Sequence, residues 1–124
     1  MKLEQNNIDS KYVIQSYNEE GIQVNDEKMT RSFIIMSDRL LRSWQPDNIS
    51  VLKPSDLEII VDLEPEIILL GSGNKLSFPE AALIAPVTSK NIGFEVMDTY
   101  AACRCYSILI SEGRNVAAAL ILEK

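Results

Sequence analysis

Six residues in the second half of the chain have types and spacing suited to contacting a ligand. They are Gly71, Ser72 and Gly73 in one turn, Asp98 and Thr99 in another, and Arg104 a little further on. Paired glycines let backbone approach a bound group closely, amides at a helix start donate to anions, and a guanidinium pairs with carboxylates or phosphates. That is binding chemistry. Composition excludes the familiar nucleophilic sites: with no histidine among 124 residues, neither a Ser-His-Asp nor a Cys-His site nor a His-ligated zinc can form. Lys75 beside the glycine turn and Glu80 after it are the candidates for a base or an acid, but nothing in the sequence gives either a partner. No catalytic residue, metal-ligand set or cofactor motif is assigned.

Each feature also has a structural reading. The dinucleotide-binding pattern needs a third glycine where Leu76 stands, and the Gly-Lys-Ser/Thr of a phosphate loop is absent, so the glycines fit a structural turn as well as a phosphate cradle. Asp98 fits a helix N-cap, worth about 1 kcal/mol, and its charge opposes an anion at that terminus. Arg104 fits a structural partner of Asp98, Glu112 or a carbonyl as readily as a ligand contact. Cys103 and Cys105 fall about 200° apart on a helix, too divergent to share a metal or form a redox pair, so they read as small buried hydrophobes. Cysteines this close in sequence staple no distant parts of a fold, which fits a reducing compartment.

The elements that position these residues follow from local patterns. Residues 1–11 are polar and read as a loose N-terminus. Tyr12–Tyr17, then Ile22 and Val24, then Met29–Met36 are rich in side chains that strands favour and are separated by Asn18-Glu19-Glu20-Gly21 and Asn25-Asp26-Glu27-Lys28, which predicts a meander. A short strand is expected within Arg39–Trp44. Pro54-Ser55-Asp56 opens a helix with Leu57, Ile60 and Val61 on one face. The strand Ile67–Leu70, the glycine turn, a helix opened at Pro79-Glu80 and interrupted near Pro86, and the strand Gly93–Met97 have the size of a βαβ unit, whose strands run parallel. Asp98-Thr99 then opens a helix to about Ser111, Gly113 terminates it, and Asn115–Leu122 reads as a buried strand. That helix is apolar around most of its circumference, which predicts burial on several sides. On this reading both turns lie at the carboxyl ends of parallel strands, the edge where open α/β sheets bind ligands.

The bulk numbers fit one α/β domain over 1–124 without linkers or repeats. Twelve basic against 18 acidic residues give a net charge of −6, with −5 of it in residues 1–64. Such a surface repels phosphate backbones, and the basic residues are scattered, so nucleic acid is not an expected partner. The longest charge-free run is the nine residues from Ala81 to Ser89, against about 18 needed for a membrane span. The first residues lack the apolar core of a signal peptide and the Arg-rich character of a transit peptide. A cytoplasmic location is expected, or the mitochondrial matrix if the chain is a mature processed form.

The ordered set Leu70-Gly71-Ser72-Gly73, Met97-Asp98-Thr99, Ala102-Cys103-Arg104 and Glu112-Gly113-Arg114 within residues 66–122 resembles an uncharacterised domain family. That family includes mitochondrial respiratory complex I assembly factor 3, the adipogenesis-associated domain protein and small bacterial proteins. The resemblance implies three layers around a five-stranded mixed sheet with one strand antiparallel to the rest. It implies an assembly or interaction role with a protein partner, connected to membrane-protein or respiratory-complex biogenesis, and no established enzyme activity. Two positions depart from the family pattern: Ser72 stands where Thr is usual, and Cys105 where a hydroxyl residue commonly follows the arginine. The sequence therefore supports a non-catalytic interaction protein, with a small-molecule or anion-binding domain or a cryptic enzyme as the alternative.

Overall fold

The computed structural model describes residues 11–123. The expected loose N-terminus lies outside them apart from Lys11. Three strands, β1 (Ile14–Asn18), β2 (Gly21–Val24) and β3 (Glu27–Met29), form an antiparallel meander. Five more, β4 (Phe33–Met36), β5 (Arg39–Leu41), β6 (Ile67–Gly71), β7 (Gly93–Met97) and β8 (Val116–Leu120), make a sheet in the order β5-β4-β8-β6-β7. β6 pairs in parallel with both β7 and β8, whereas β4 runs antiparallel to β8 and β5. One strand thus opposes the other four, as the family resemblance implies.

Strand alternation divides the core in two. Phe33, Ile35, Leu69, Ala118 and Leu120 face one side with Ile22, Val24 and Met29 of the meander and with Ala102, Cys103 and Tyr106. Ile34, Met36, Ile68, Leu70, Ala117 and Ala119 face the other, against Trp44, Leu57, Ile60 and Val87. Both faces of the central strands are therefore apolar, and β8 is buried at every position. Each large aliphatic or aromatic side chain so buried contributes about 1.5–3 kcal/mol. Small alanines on β8 let the layers approach, while the bulk comes from its neighbours.

Three helices complete the layers. Helix α1 (Pro54–Val61) starts with proline at its N-terminus, where the missing N–H is harmless, and the Asp56 carboxylate accepts the Lys53 amide at 2.9 Å. Trp44 docks against it, its buried indole N–H donating to the Asp56 carbonyl at 3.2 Å. Helix α2 (Ala85–Thr88) follows a 3-10 turn at Ala81–Ile84. Here the sequence reading needs correction: Pro86 opens α2 rather than interrupting a longer helix, because proline is tolerated in a first turn. Helix α3 (Thr99–Ser111) ends before Gly113, whose φ of +78° is the left-handed conformation of a C-terminal cap.

Two further expectations change. Met29–Met36 is not one strand: Met29 ends β3 in the meander, and Phe33 begins β4 in the main sheet. Ser32 fixes the crossing, its hydroxyl accepting the Leu122 amide at 2.9 Å and its carbonyl the Trp44 amide at 3.0 Å. Helix α3 is not buried on several sides either. Only Thr99, Ala102, Cys103 and Tyr106 are fully buried, a stripe at helical spacing, and Ile108 is 58% exposed. The helix is an outer layer over the sheet, so solvent reaches its far side.

Candidate functional site

β6, β8 and β7 all deliver their carboxyl ends to one edge of the sheet, and the two predicted turns meet there. The Ser72 amide donates to the Met97 carbonyl at 2.8 Å, the Thr99 amide to the Gly73 carbonyl at 2.9 Å, and the Ile121 amide to the Gly71 carbonyl at 3.0 Å. At the centre is Thr99. Its buried hydroxyl accepts the Gly73 amide at 2.9 Å and donates to the Ile121 carbonyl at 2.8 Å, joining the segments that follow all three parallel strands. Gly71 allows close approach: a Cβ there would lie 3.0 Å from the Cα and Oγ1 of Thr99, so a larger residue would push the two turns apart.

Ser72 is also buried, and its hydroxyl donates to the Lys75 carbonyl at 2.6 Å while accepting the Ser77 amide at 3.0 Å. This folds the following loop back on itself. Asp98 caps α3, its carboxylate accepting the Ala101 amide at 2.9 Å. Gly73 has φ +110°, and a carboxylate lies directly on it, that of Glu123. Glu123 accepts the Asn74 amide at 2.7 Å and the Asn48 side-chain amide at 3.3 Å. The amides of Ser72, Gly73 and Asn74, the donors an anion would use, are thus engaged within the chain.

Arg104 forms no ion pair with Asp98 or Glu112 among the described residues, although the Asp98 charge acts on it through space. It is exposed, and its guanidinium donates to the Tyr17 hydroxyl at 3.3 Å, reaching the meander; Tyr17 stacks on Tyr100 with ring centroids 5.2 Å apart. Arg104 and Tyr100 therefore fasten α3 to β1. Cys103 and Cys105 are free, and burial pushes the Cys103 thiol up to about 12, the behaviour of a packed hydrophobe. Among the described residues no cluster of His, Cys, Asp or Glu is placed to hold a metal ion.

Sequence reasoning missed Glu123, Asn48 and Asn74, whose roles depend on contacts between distant segments. Glu123 forms a ridge between two hollows. One, of about 460 Å³, lies between the turn Asn18–Gly21, Tyr100 and Leu122; the other, of about 470 Å³, is lined by Ile49, Ser72, Lys75 and Leu76. The loop bordering the second hollow exposes Leu76 (55%) and Phe78 (69%).

The fold and this edge define a class: a three-layer α/β domain whose glycine turn is locked from within and is bordered by a loop that exposes Leu76 and Phe78. The chain belongs to the family of proteins of unknown function DUF498/DUF598, whose sequence profile matches residues 14–121. It is 38% identical over 77 residues to a 13 kDa major membrane protein of Francisella tularensis, covering 60% of this chain and 61% of that protein. It is 28% identical over 123 residues to the NADH dehydrogenase [ubiquinone] 1 alpha subcomplex assembly factor 3 of Rattus norvegicus, covering 98% of this chain and 66% of that protein. The chain thus spans somewhat less than two thirds of the curated relatives it matches. A solved structure from Xanthomonas campestris is similar at 35% identity with a TM-score of 0.80, over 90% of this chain and 84% of that one. Among the described residues no helix is long and apolar enough to cross a membrane.

Proposed function

We propose that this chain is a non-catalytic interaction protein of the assembly-factor kind, acting in the cytoplasm on a protein client during biogenesis of a membrane or respiratory complex. The observation that carries the reading is its similarity, along nearly the whole chain, to a protein named as a complex I assembly factor. The geometry supports it from a second direction. At the carboxyl edge Thr99 and Glu123 bond across to neighbouring segments while Ser72 and Asp98 bond within their own, so these side chains are spent on the frame of the turn. Gly71 and Gly73 belong to that frame, and Arg104 braces α3 on the meander.

The test is recovery of a client. The full chain, tagged and mildly cross-linked in its own cells, should enrich a subunit of a membrane or respiratory complex over an untagged control. Enrichment of nothing above background in repeated experiments overturns the reading.

A further inference from the structure

A sheet has two edges, and this protein treats its edges unequally. Exposed edges recruit other strands, so proteins keep them short, bulged or charged. β5, at one end of the main sheet, has three residues, as does β3 in the meander, and β1 carries a bulge between Ile14 and Ser16. β7, at the other end, has five residues in unbroken register with β6 from Gly93 to Met97. None of its five residues is fully buried, whereas four of the five in β6 are.

The direction of its backbone groups follows from two hydrogen bonds. The Gly93 amide donates to the Glu66 carbonyl at 3.0 Å and the Met97 carbonyl accepts the Ser72 amide at 2.8 Å, so the pairing groups of Gly93, Glu95 and Met97 face β6. Backbone groups alternate sides along a strand. The N–H and C=O of Phe94 and Val96 therefore point away from the sheet, to its open side. Their side chains remain on the α1 face, half-buried in the core, while the exposed Glu95 side chain stands on the opposite face.

We infer that the β7 edge accepts an extended segment of a client protein as a sixth strand, with a lysine or arginine of that segment opposite Glu95. This rests on the interaction-protein reading above. The main-chain groups of Phe94 and Val96 supply the hydrogen bonds, and Glu95 supplies the selectivity. Glu95 has no ion pair among the described residues. A second copy of this chain is disfavoured by the same residue: two β7 strands in full antiparallel overlap place Glu95 opposite itself, and like charges directly opposite are destabilising.

The probe is a pair of acetylated, amidated peptides, TVTKTVT and TVTETVT, added to the full chain while amide exchange is followed residue by residue. The lysine peptide at millimolar concentration should slow exchange at Phe94 and Val96. The glutamate peptide should need about three- to tenfold more, the order expected for exchanging one attractive cross-strand charge pair for a repulsive one. Glu95→Lys should invert the preference. Val96→Pro should abolish both responses, since it removes an outward N–H without breaking a bond to β6. No slowing with either peptide overturns the proposal, as does an equal response to both that Glu95→Lys leaves unchanged. Slowing of the same amides by raised protein concentration alone overturns it in favour of a second copy. If wild type captures a client in cells and both variants capture it equally, the edge proposal falls while the interaction reading stands. If wild type captures none, that reading falls, and the peptides alone decide what β7 binds.

Discussion

Replacing Thr99 by valine tests whether the glycine turn is a structural hub. Valine keeps the shape and removes the hydroxyl, leaving the buried Gly73 amide and Ile121 carbonyl without their partner. Each such orphan costs about 1–3 kcal/mol, so Thr99→Val should lose about 2–4 kcal/mol after partial relaxation. Domains of this size have about 5–15 kcal/mol in total. With an unfolding entropy near 2.1 cal/mol/K per residue, that loss lowers Tm by about 8–15 °C. Thr99→Ser retains the hydroxyl and drops a methyl group, so its cost should stay near 1 kcal/mol. Urea unfolding followed by the fluorescence of Trp44, the only tryptophan and buried, reads both variants. A Thr99→Val variant within about 0.5 kcal/mol of wild type, or a Thr99→Ser variant as damaging as Thr99→Val, would refute a hub role for the hydroxyl.

Gly73→Ala should cost about 1–3 kcal/mol, chiefly from the left-handed φ. Adding Glu123→Ala should recover little of it, because the Glu123 carboxyl is the end of a flexible side chain; full recovery in urea melts would show that the clash dominates. The Asn115 amide, and then the Arg114 guanidinium, hold the Glu66 carboxyl below its usual range. A depressed native value adds stability above the unfolded pKa of about 4.3 that is lost as pH falls through the native one. Glu66→Gln should therefore flatten the acid limb of a stability-versus-pH curve and leave its slope above about pH 6 unchanged; an unaltered acid limb counts against that linkage. Cys103, buried with its thiol raised to about 12, should resist alkylation at pH 8 until the chain unfolds, and modification of the native protein there by mass spectrometry would contradict its burial. Millimolar phosphate or nucleotides should leave Tm unchanged, since the turn amides are engaged; a rise that disappears in Arg104→Ala would instead favour an anion site.

The parts legible in the sequence are those whose causes are local. Asp98 before a helix, Gly113 after it and the apolar run at Ile67–Leu70 are signals within a few residues, and the structure bears out each element. Met29–Met36 misled because it is rich in strand-favouring residues and contains no glycine or proline to mark a break. What breaks it is Ser32, held by Trp44 and by Leu122, the latter 90 residues away. Arg104 misled in the same way: its neighbours offered Asp98 and Glu112, but its partner is Tyr17, 87 residues away. The meeting of the glycine turn with Asp98-Thr99 was readable from the βαβ pattern, but the filling of its donors was not, since Glu123 reaches Asn74 from 49 residues away.

That asymmetry bears on function. A Gly-x-Gly turn with free amides and the same turn with a carboxylate of its own chain upon it have the same local sequence and opposite chemistry. The same holds for β7. Gly93-Phe94-Glu95-Val96-Met97 would suit an interior position, and only the strand order β5-β4-β8-β6-β7 leaves the main-chain groups of Phe94 and Val96 without a partner strand among the described residues. The motif that draws attention in the sequence is thus internally satisfied, while an unremarkable strand holds backbone hydrogen-bonding capacity that no other strand of the described fold takes up. For a chain with no histidine, that backbone capacity is what the edge proposal rests on.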